Sequence, residues 1–327
     1  MHVRLLLTGF SPRPAPGARH PALERLLARG RRTRAPWLSL DHWLLEGFGI
    51  DTGDSLPSAP FALRGDGGEP GDAYWVHADP VHLAAGNTQV GVTGAQALAL
   101  DRAEAEVFAD VINTHFKGVL QVFPLRPDRW YARIDSPPAG SPAPLAEVLA
   151  RGIELGPANT AALGWHALMN ELQMLLFEHP LNLAREARGA LPVNGVWLWG
   201  GGRESKIDGR PLRSVFADSP LAAGLAAAAA VRHAPLPHAV QPVLDPATDG
   251  VTLVVHEHAD ADRIERDWMQ PLTDALRRER IGMLTVHLVA GDEVLSVENT
   301  RGDLRRFWRR PRPLADWLPR NEPDGMQ

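Results

Sequence analysis

The spacing of apolar and polar positions changes repeatedly along the chain, and each change predicts an element. Residues 3–8 form a short apolar run, the mark of a buried strand, and a Pro-rich loop follows over 11–21. Leu23, Leu26 and Leu27 stand at helical spacing, with Gly30 as the stop. A second helix is predicted over 38–45, with Ser39 as its cap and Gly47 at its end. Residues 51–71, rich in Gly, Pro, Asp and Ser, read as loop, and 73–78 as a strand that Pro80 ends. Asp101 can cap a helix running to Thr114, with Ala105, Phe108, Val111 and Ile112 on its inner face.

Residues 119–124 and 129–134 read as paired strands, the second half-exposed because charge alternates with bulk. The stretch SPPAGSPAP over 136–144 is linker-like. The strongest helical pattern covers 160–177 and stops at His179 and Pro180. A strand over 193–199 runs into Gly200, Gly201 and Gly202, and Ser219 with Pro220 opens a helix over 220–232. A strand over 251–256, a helix over 262–280 bent at Pro271, and a hairpin of 283–289 with 294–297 complete the pattern. Strands alternating with helices predict an α/β protein, with a central sheet flanked by helices. The expected division is a core of 1–84 and 188–327, with 85–187 as an inserted α+β cap.

Composition narrows the function classes. At 327 residues, 44% hydrophobic and 22% charged, the chain has the balance of a globular protein of one large domain or two lobes. It has no cysteine, which excludes disulfides, zinc fingers, iron–sulfur clusters and a thiol nucleophile. The net charge of −5 argues against general binding to nucleic acid or to an anionic membrane. The apolar run near the N-terminus is too short for a signal peptide or a membrane span, so a cytoplasmic location is expected.

Three clusters carry candidate chemistry. In YWVHADPVHL, strand alternation puts Trp75, His77 and Asp79 on one face, with His82 beyond Pro80. Imidazole and carboxylate there could serve as acid and base, or Asp79 could simply make a turn at the proline. In MNELQMLLFEH, His166, Asn170 and Gln173 share one helix face, while Glu171 and Glu178 share the next. Such a stripe either lines a site or carries a packing network. Downstream, Trp197 and Trp199 precede the three glycines, which read either as a backbone anion cradle beside Arg203 or as a turn. In RGDLRRFWRRPRP, arginines interleave with Phe307 and Trp308, a pattern for single-stranded nucleic acid or phosphate. The net acidic chain favours instead a solvated helix face packed through Leu304, Phe307 and Trp308.

On WVHADPVHL, NELQMLLFEHPLN and NGVWLWGGG the chain resembles the proteobacterial RpfE-type regulatory protein family, whose members are often labelled phosphoglycerate mutases. More remotely, PALERLLARG, WLWGGG and LVVHEHADADRIERDW resemble the archaeal-type cofactor-independent phosphoglycerate mutases of the alkaline phosphatase superfamily. That resemblance implies an alkaline-phosphatase-like sheet, and in such enzymes two metal ions clamp the transferring phosphate. This sequence departs from the metal pattern. The first strand ends without Asp, no His follows Asp260 and Asp262 at the expected spacing, and the later Asp-His pair is replaced by His287-Leu288. Ser11 and Ser39 are the candidate nucleophiles, and His256, His258, Asp260 and His287 are left as remnants of a metal set.

The resulting expectation is a diverged, regulatory or small-molecule-binding protein that requires no cofactor or metal. Its pocket would lie between sheet and cap, lined by His77, Asp79, His82, Asn170, Glu171, His179 and Trp199. The ligand would be small and anionic or phosphorylated, and a regulatory protein partner fits the resemblance. The alternatives are a phosphomutase or phosphatase with rearranged acid and base, and a nucleic-acid-associated factor using the C-terminal arginines.

Overall fold

A computed structural model describes residues 1–9, 18–53, 55–86, 89–151, 153–154, 163–207, 212–244 and 250–318. Most of the predicted Pro-rich loop, including Ser11, and the first turn of the helix predicted over 160–177 lie outside them. The chain divides into two compact units, Met1–Trp43 with Asp208–Gln327, and Leu44–Ile207. Residues 44–84 and 188–207, read from the sequence as core, therefore belong to the inserted unit. The reason is strand pairing. The strands are β1 (His2–Leu7), β2 (Arg31–Pro36), β3 (Tyr74–Ala85), β4 (Gln89–Thr93), β5 (Leu120–Arg126), β6 (Arg129–Ile134), β7 (Ile153–Glu154), β8 (Gly195–Gly202), β9 (Leu212–Phe216), β10 (Arg232–Ala234), β11 (Val251–His256), β12 (Met283–Ala290) and β13 (Glu293–Asn299). β3 pairs antiparallel with both β6 and β8, so the two WVHADP and VWLWGGG motifs are neighbours in one sheet of the inserted unit.

The first unit carries a seven-stranded sheet in the order β10-β9-β11-β1-β12-β13-β2. Its strands from β10 to β12 are parallel, as crossover helices require, while β13 and β2 add antiparallel edges. One face packs Leu5, Leu7, Val254, Val286 and Leu288 against Leu23, Leu26 and Leu27 of helix Pro21–Arg29 and Leu272 and Leu276 of helix Gln270–Arg277. Helix Pro21–Arg29 has no side-chain cap of its own. Glu265 caps it from a distance, accepting from the N–H groups of Ala22 (2.8 Å) and Leu23 (3.0 Å). Glu265 opens a π-helical turn, Glu265–Met269, which directly precedes the Pro271 helix. The irregularity expected at that proline takes this form because Pro271 offers no N–H to an α-helical ladder.

The inserted unit carries a six-stranded, antiparallel sheet, β5-β6-β3-β4-β7, with β8 also paired to β3. Its core gathers Val76, Ala78, Trp130, Ala132 and Leu198 under Phe108 and Ile112 of helix Arg102–His115 and Leu172 and Leu176 of helix Leu163–Phe177. Asp101 caps the first of these helices in a capping box with Glu104, and the predicted inner face holds at Ala105, Phe108 and Ile112.

Several local expectations change. Helix Leu40–Phe48 starts with Ser39 Oγ accepting from His42 N–H, but it runs through Gly47. It ends at Gly49, whose φ of 83° permits the closing bonds from Gly49 to Glu46 and from Ile50 to Leu45. The loop predicted over 51–71 contains helix Ala59–Gly65, which buries Phe61 and Leu63. β3 does not stop at Pro80. Its pairing with β6 ends at His77 and that with β4 begins at His82, so the missing N–H falls in the gap. β6 buries Trp130, Tyr131 and Ala132 in succession because both faces are covered: Trp130 and Ala132 join the core, and Tyr131 on the other face lies against His77 and donates to Asp66. The C-terminal arginines form no helix face: a single 3-10 turn, Asp303–Arg305, buries Leu304 and leaves Phe307 and Trp308 exposed. Among the described residues no helix is long and apolar enough to cross a membrane.

Candidate functional site

All seven predicted pocket residues fall in the inserted unit, and three of them meet. The β3–β8 register sets His77 opposite Trp199, and the rings stack at 4.2 Å and 16°. Trp199 Nε1–H donates to Asp79 at 2.6 Å, and Ser58 Oγ shares a hydrogen bond of 3.2 Å with His77 Nε2. Burial, the largest influence, pushes the His77 imidazole down to about 3, so it is neutral at ordinary pH. The three glycines after Trp199 belong to β8. A Cβ on Gly200 would stand 2.6 Å from Ser58 Oγ, one on Gly201 2.4 Å from Tyr74 Oη, and one on Gly202 2.4 Å from Pro57 Cβ. These glycines therefore admit the Pro57–Ser58 segment and Tyr74 to the strand; they form neither a turn nor an anion cradle.

The other four predicted residues lie elsewhere. His82 is on the opposite face of β3 from His77 and Asp79 by alternation, and its Nδ1 contacts Pro192 O at 3.0 Å. Asn170 is exposed on helix Leu163–Phe177, as is Glu171, which accepts from His115 at 2.7 Å. His179 caps the next helix, Pro180–Ala187, with Nδ1 accepting from Leu181 N–H. The polar stripe is thus a solvent face, a helix pairing contact and a cap. Its i, i+4 spacing is the same for a wet face as for a pocket wall.

The first unit holds a second arrangement, which the sequence signalled only as remnants. Parallel α/β sheets bind ligands beyond the carboxyl ends of their strands, where the loops diverge. At that edge Asp218 follows β9, His238 follows β10, and His256, Glu257, His258 and Asp260 end and follow β11. With Arg263 and Trp268 they line a cleft of about 270 Å³. Gly9 (φ 72°), just beyond β1, packs against the lining residue His258: a Cβ there would stand 2.7 Å from His258 Cα. Asp260 caps helix Ala261–Ile264, accepting from Arg263 N–H at 2.7 Å, and Asp218 accepts from Leu236 N–H at 3.0 Å. Arg263 Nη2 contacts His238 Nδ1 at 3.1 Å.

His256 is the unusual member. It is buried edge-on against Trp268, ring centroids 4.4 Å apart, and its Nε2 has no hydrogen-bond partner among the described residues. Burial first, and Arg263 second, push its imidazole down to about 4. Glu257 moves the other way, upward, through its own loss of hydration.

These residues do not reproduce a two-metal set. In the β1 registers His256 lies beside Leu7 and His287 beside Leu6, so the two imidazoles project from opposite faces of the sheet. His287 Nδ1 shares a 2.8 Å hydrogen bond with Ser296 Oγ, and its ring meets Trp43 edge-on. Ser39, one candidate nucleophile, is engaged as a helix cap. Among the described residues no group of three or more His, Asp or Glu is arranged to hold a metal ion.

No protein-family model and no curated protein matches the sequence. Solved structures do match in fold. One is a cofactor-independent phosphoglycerate mutase from Thermoplasma acidophilum DSM 1728, at TM-score 0.50 and 19% identity over 96% of this chain and 94% of that one. Another is the PH0037 protein from Pyrococcus horikoshii, at TM-score 0.55 and 16% identity over 91% of this chain and 87% of that one. The chain thus has a phosphoglycerate-mutase-like α/β fold with a central sheet flanked by helices.

Proposed function

We propose that this chain is a diverged phosphoglycerate-mutase-like protein, of the regulatory kind its RpfE-like motifs suggest, that binds a small polar ligand in the cleft beyond β9, β10 and β11. The carrying observation is His256, a neutral buried imidazole with an unpartnered nitrogen at the place where this fold class seats ligands. A buried polar atom without a partner is costly by about 1–3 kcal/mol; Nε2 is out of solvent contact, and a ligand hydroxyl that displaced the Trp268 edge or turned the imidazole toward the cleft would recover that cost. The charges around it limit the ligand. Asp218, Glu257 and Asp260 face a single arginine, Arg263. That inventory suits hydroxyls and one anionic group better than a phosphate dianion. Metal-dependent phosphoryl transfer is not proposed, because the donors it needs are not brought together.

The phosphoglycerate mutase likeness makes D-glycerate and 3-phosphoglycerate the first probes. Ligand-observed NMR should show D-glycerate binding to the full chain, lost in His256→Leu, with 3-phosphoglycerate no tighter. Turnover of 3-phosphoglycerate in the presence of manganese, abolished by His256→Leu, would overturn the binding-protein reading in favour of an enzyme. No binding of either probe would remove the cleft from consideration.

A further inference from the structure

The C-terminal arginines do not form a solvated helix face, and their actual arrangement is a compact cationic hollow in the first unit. Gly30, Arg31, Arg32, Arg306 and Arg309 line a recess of about 400 Å³. It is built from two distant segments: the start of the edge strand β2 and the turn after Asp303–Arg305. The end of helix Pro21–Arg29 holds them together. Arg306 Nη1 donates to Arg29 O at 3.2 Å, and Arg309 Nη1 donates to Gly30 O at 3.0 Å. Carbonyl groups at a helix C-terminus orient guanidinium groups without neutralising them.

Neutralisation by the protein's own carboxylates is sparse here. Arg306 pairs with Asp303, and Arg34 on the same strand pairs with Glu293. Among the described residues Arg32 and Arg309 form no ion pair with a carboxylate, and Arg31, which alternates to the other face of β2, stands opposite Glu298 in the β13 register without forming one. Arg32 instead lies over the Trp317 ring at 5.1 Å. Partial burial, and then Arg309, Arg312 and Arg34, push its guanidinium downward from the usual arginine value. Like charges gathered on one recess of a net acidic chain repel one another, and an anion would relieve that repulsion. Arginine forks match phosphate oxygens two at a time, which a lysine cluster would not. Phe307 and Trp308 lie in sequence between two recess arginines, and they remain 78% and 65% exposed with their rings 5.3 Å apart. They offer aromatic surface beside the charge.

We propose that Arg31, Arg32, Arg306 and Arg309 form a binding site for a compact polyphosphate group, such as the triphosphate of a nucleotide. The arginines are gathered in one recess of about 400 Å³ at the end of helix Pro21–Arg29 and do not extend along the surface, which suits a short cluster of phosphates better than the track of a polymer. It is separate from the His256 cleft, and the two share no lining residue.

The test is calorimetric titration of the full chain with ATP, inorganic tripolyphosphate, AMP and a twenty-residue oligothymidylate. ATP and tripolyphosphate should bind at least about tenfold more tightly than AMP, and both should weaken as salt is raised. ATP exceeding tripolyphosphate would assign a contribution to the base on Phe307 or Trp308; equality would assign the phosphates alone. Arg31→Ala with Arg32→Ala should weaken ATP by about tenfold or more, while Arg32→Lys retains part of the affinity. His256→Leu should leave ATP binding unchanged, which separates this site from the proposed small-ligand cleft. Binding of oligothymidylate without ATP, or ATP binding indifferent to Arg31 and Arg32, would overturn the proposal. Equal melting temperatures of the variants would exclude unfolding as the cause of a loss.

Discussion

His77 in the inserted unit and His256 in the first unit have the same exposure, 8%, and both are held neutral by burial. Their surroundings differ. His77 is closed in by Ser58, the Trp199 ring and Tyr131, and the neighbouring Asp79 carboxylate accepts from Trp199. His256 has one aromatic wall, Trp268, an open cleft and an orphaned nitrogen. A closed network spends its polar capacity on holding two strands and a loop together. An open one keeps capacity for something else. Burial and a shifted imidazole alone therefore do not mark a site, and partner satisfaction is what separates the two.

The comparison can be broken in four ways, three substitutions taken from the largest expected effect to the smallest and one titration. Gly200→Ala forces a Cβ into Ser58 and His77 at a residue with φ of 65°. It should destabilise the protein by about 3 kcal/mol, read as a lowered urea midpoint. Trp199→Phe keeps the stack but removes the indole donor from Asp79, and about 2 kcal/mol should be lost in the same measurement.

Acid pH probes both histidines. Each has a folded-state value below the unfolded value of about 6.5, so the unfolded chain binds more protons as pH falls. The stability each contributes is complete above about pH 6.5 and declines by about 1.4 kcal/mol per pH unit below it, until the folded ring itself titrates. That end point is about 4 for His256 and about 3 for His77. Urea midpoints taken between pH 7 and 4 should show the slope, and His77→Gln should reduce it. A flat profile would mean that neither ring is desolvated as described. Finally, His256→Leu replaces an unsatisfied buried polar group by an apolar one of similar bulk. Its unfolding free energy, read from the urea midpoint, should stay within about 1 kcal/mol of the parent chain's or rise, whereas a loss comparable to that of Trp199→Phe would show His256 to be structural after all.

Much of the fold was legible because local signals there agreed with the tertiary outcome. The strand at His2–Leu7, the helix at Pro21–Arg29, the Asp101 cap and the hairpin of β12 and β13 follow from apolar period, caps and turn residues alone. β2, RRTRAP, was missed because every residue of it is exposed and only its backbone pairs with β13. Helix Ala59–Gly65 was hidden by the flanking Pro, Ser and Gly. Of the expected pocket, His77, Asp79 and Trp199 were legible as partners because strand alternation is rigid. Asn170 and Glu171 were not, because the spacing of a polar stripe does not say which side of a helix faces water.

The sequence by itself determined most of the element types and the absence of thiol chemistry, since these depend on residue identity and short-range periodicity. Only the tertiary structure decided that the WVHADP strand belongs to the inserted unit, because that follows from its pairing with β8 across more than a hundred residues. It also decided that His256 and His287 face opposite sides of the sheet, and that Arg31 and Arg32 meet Arg306 and Arg309 at a helix end. Register and face are set by which strands pair, and long-range pairing leaves no mark on the local pattern.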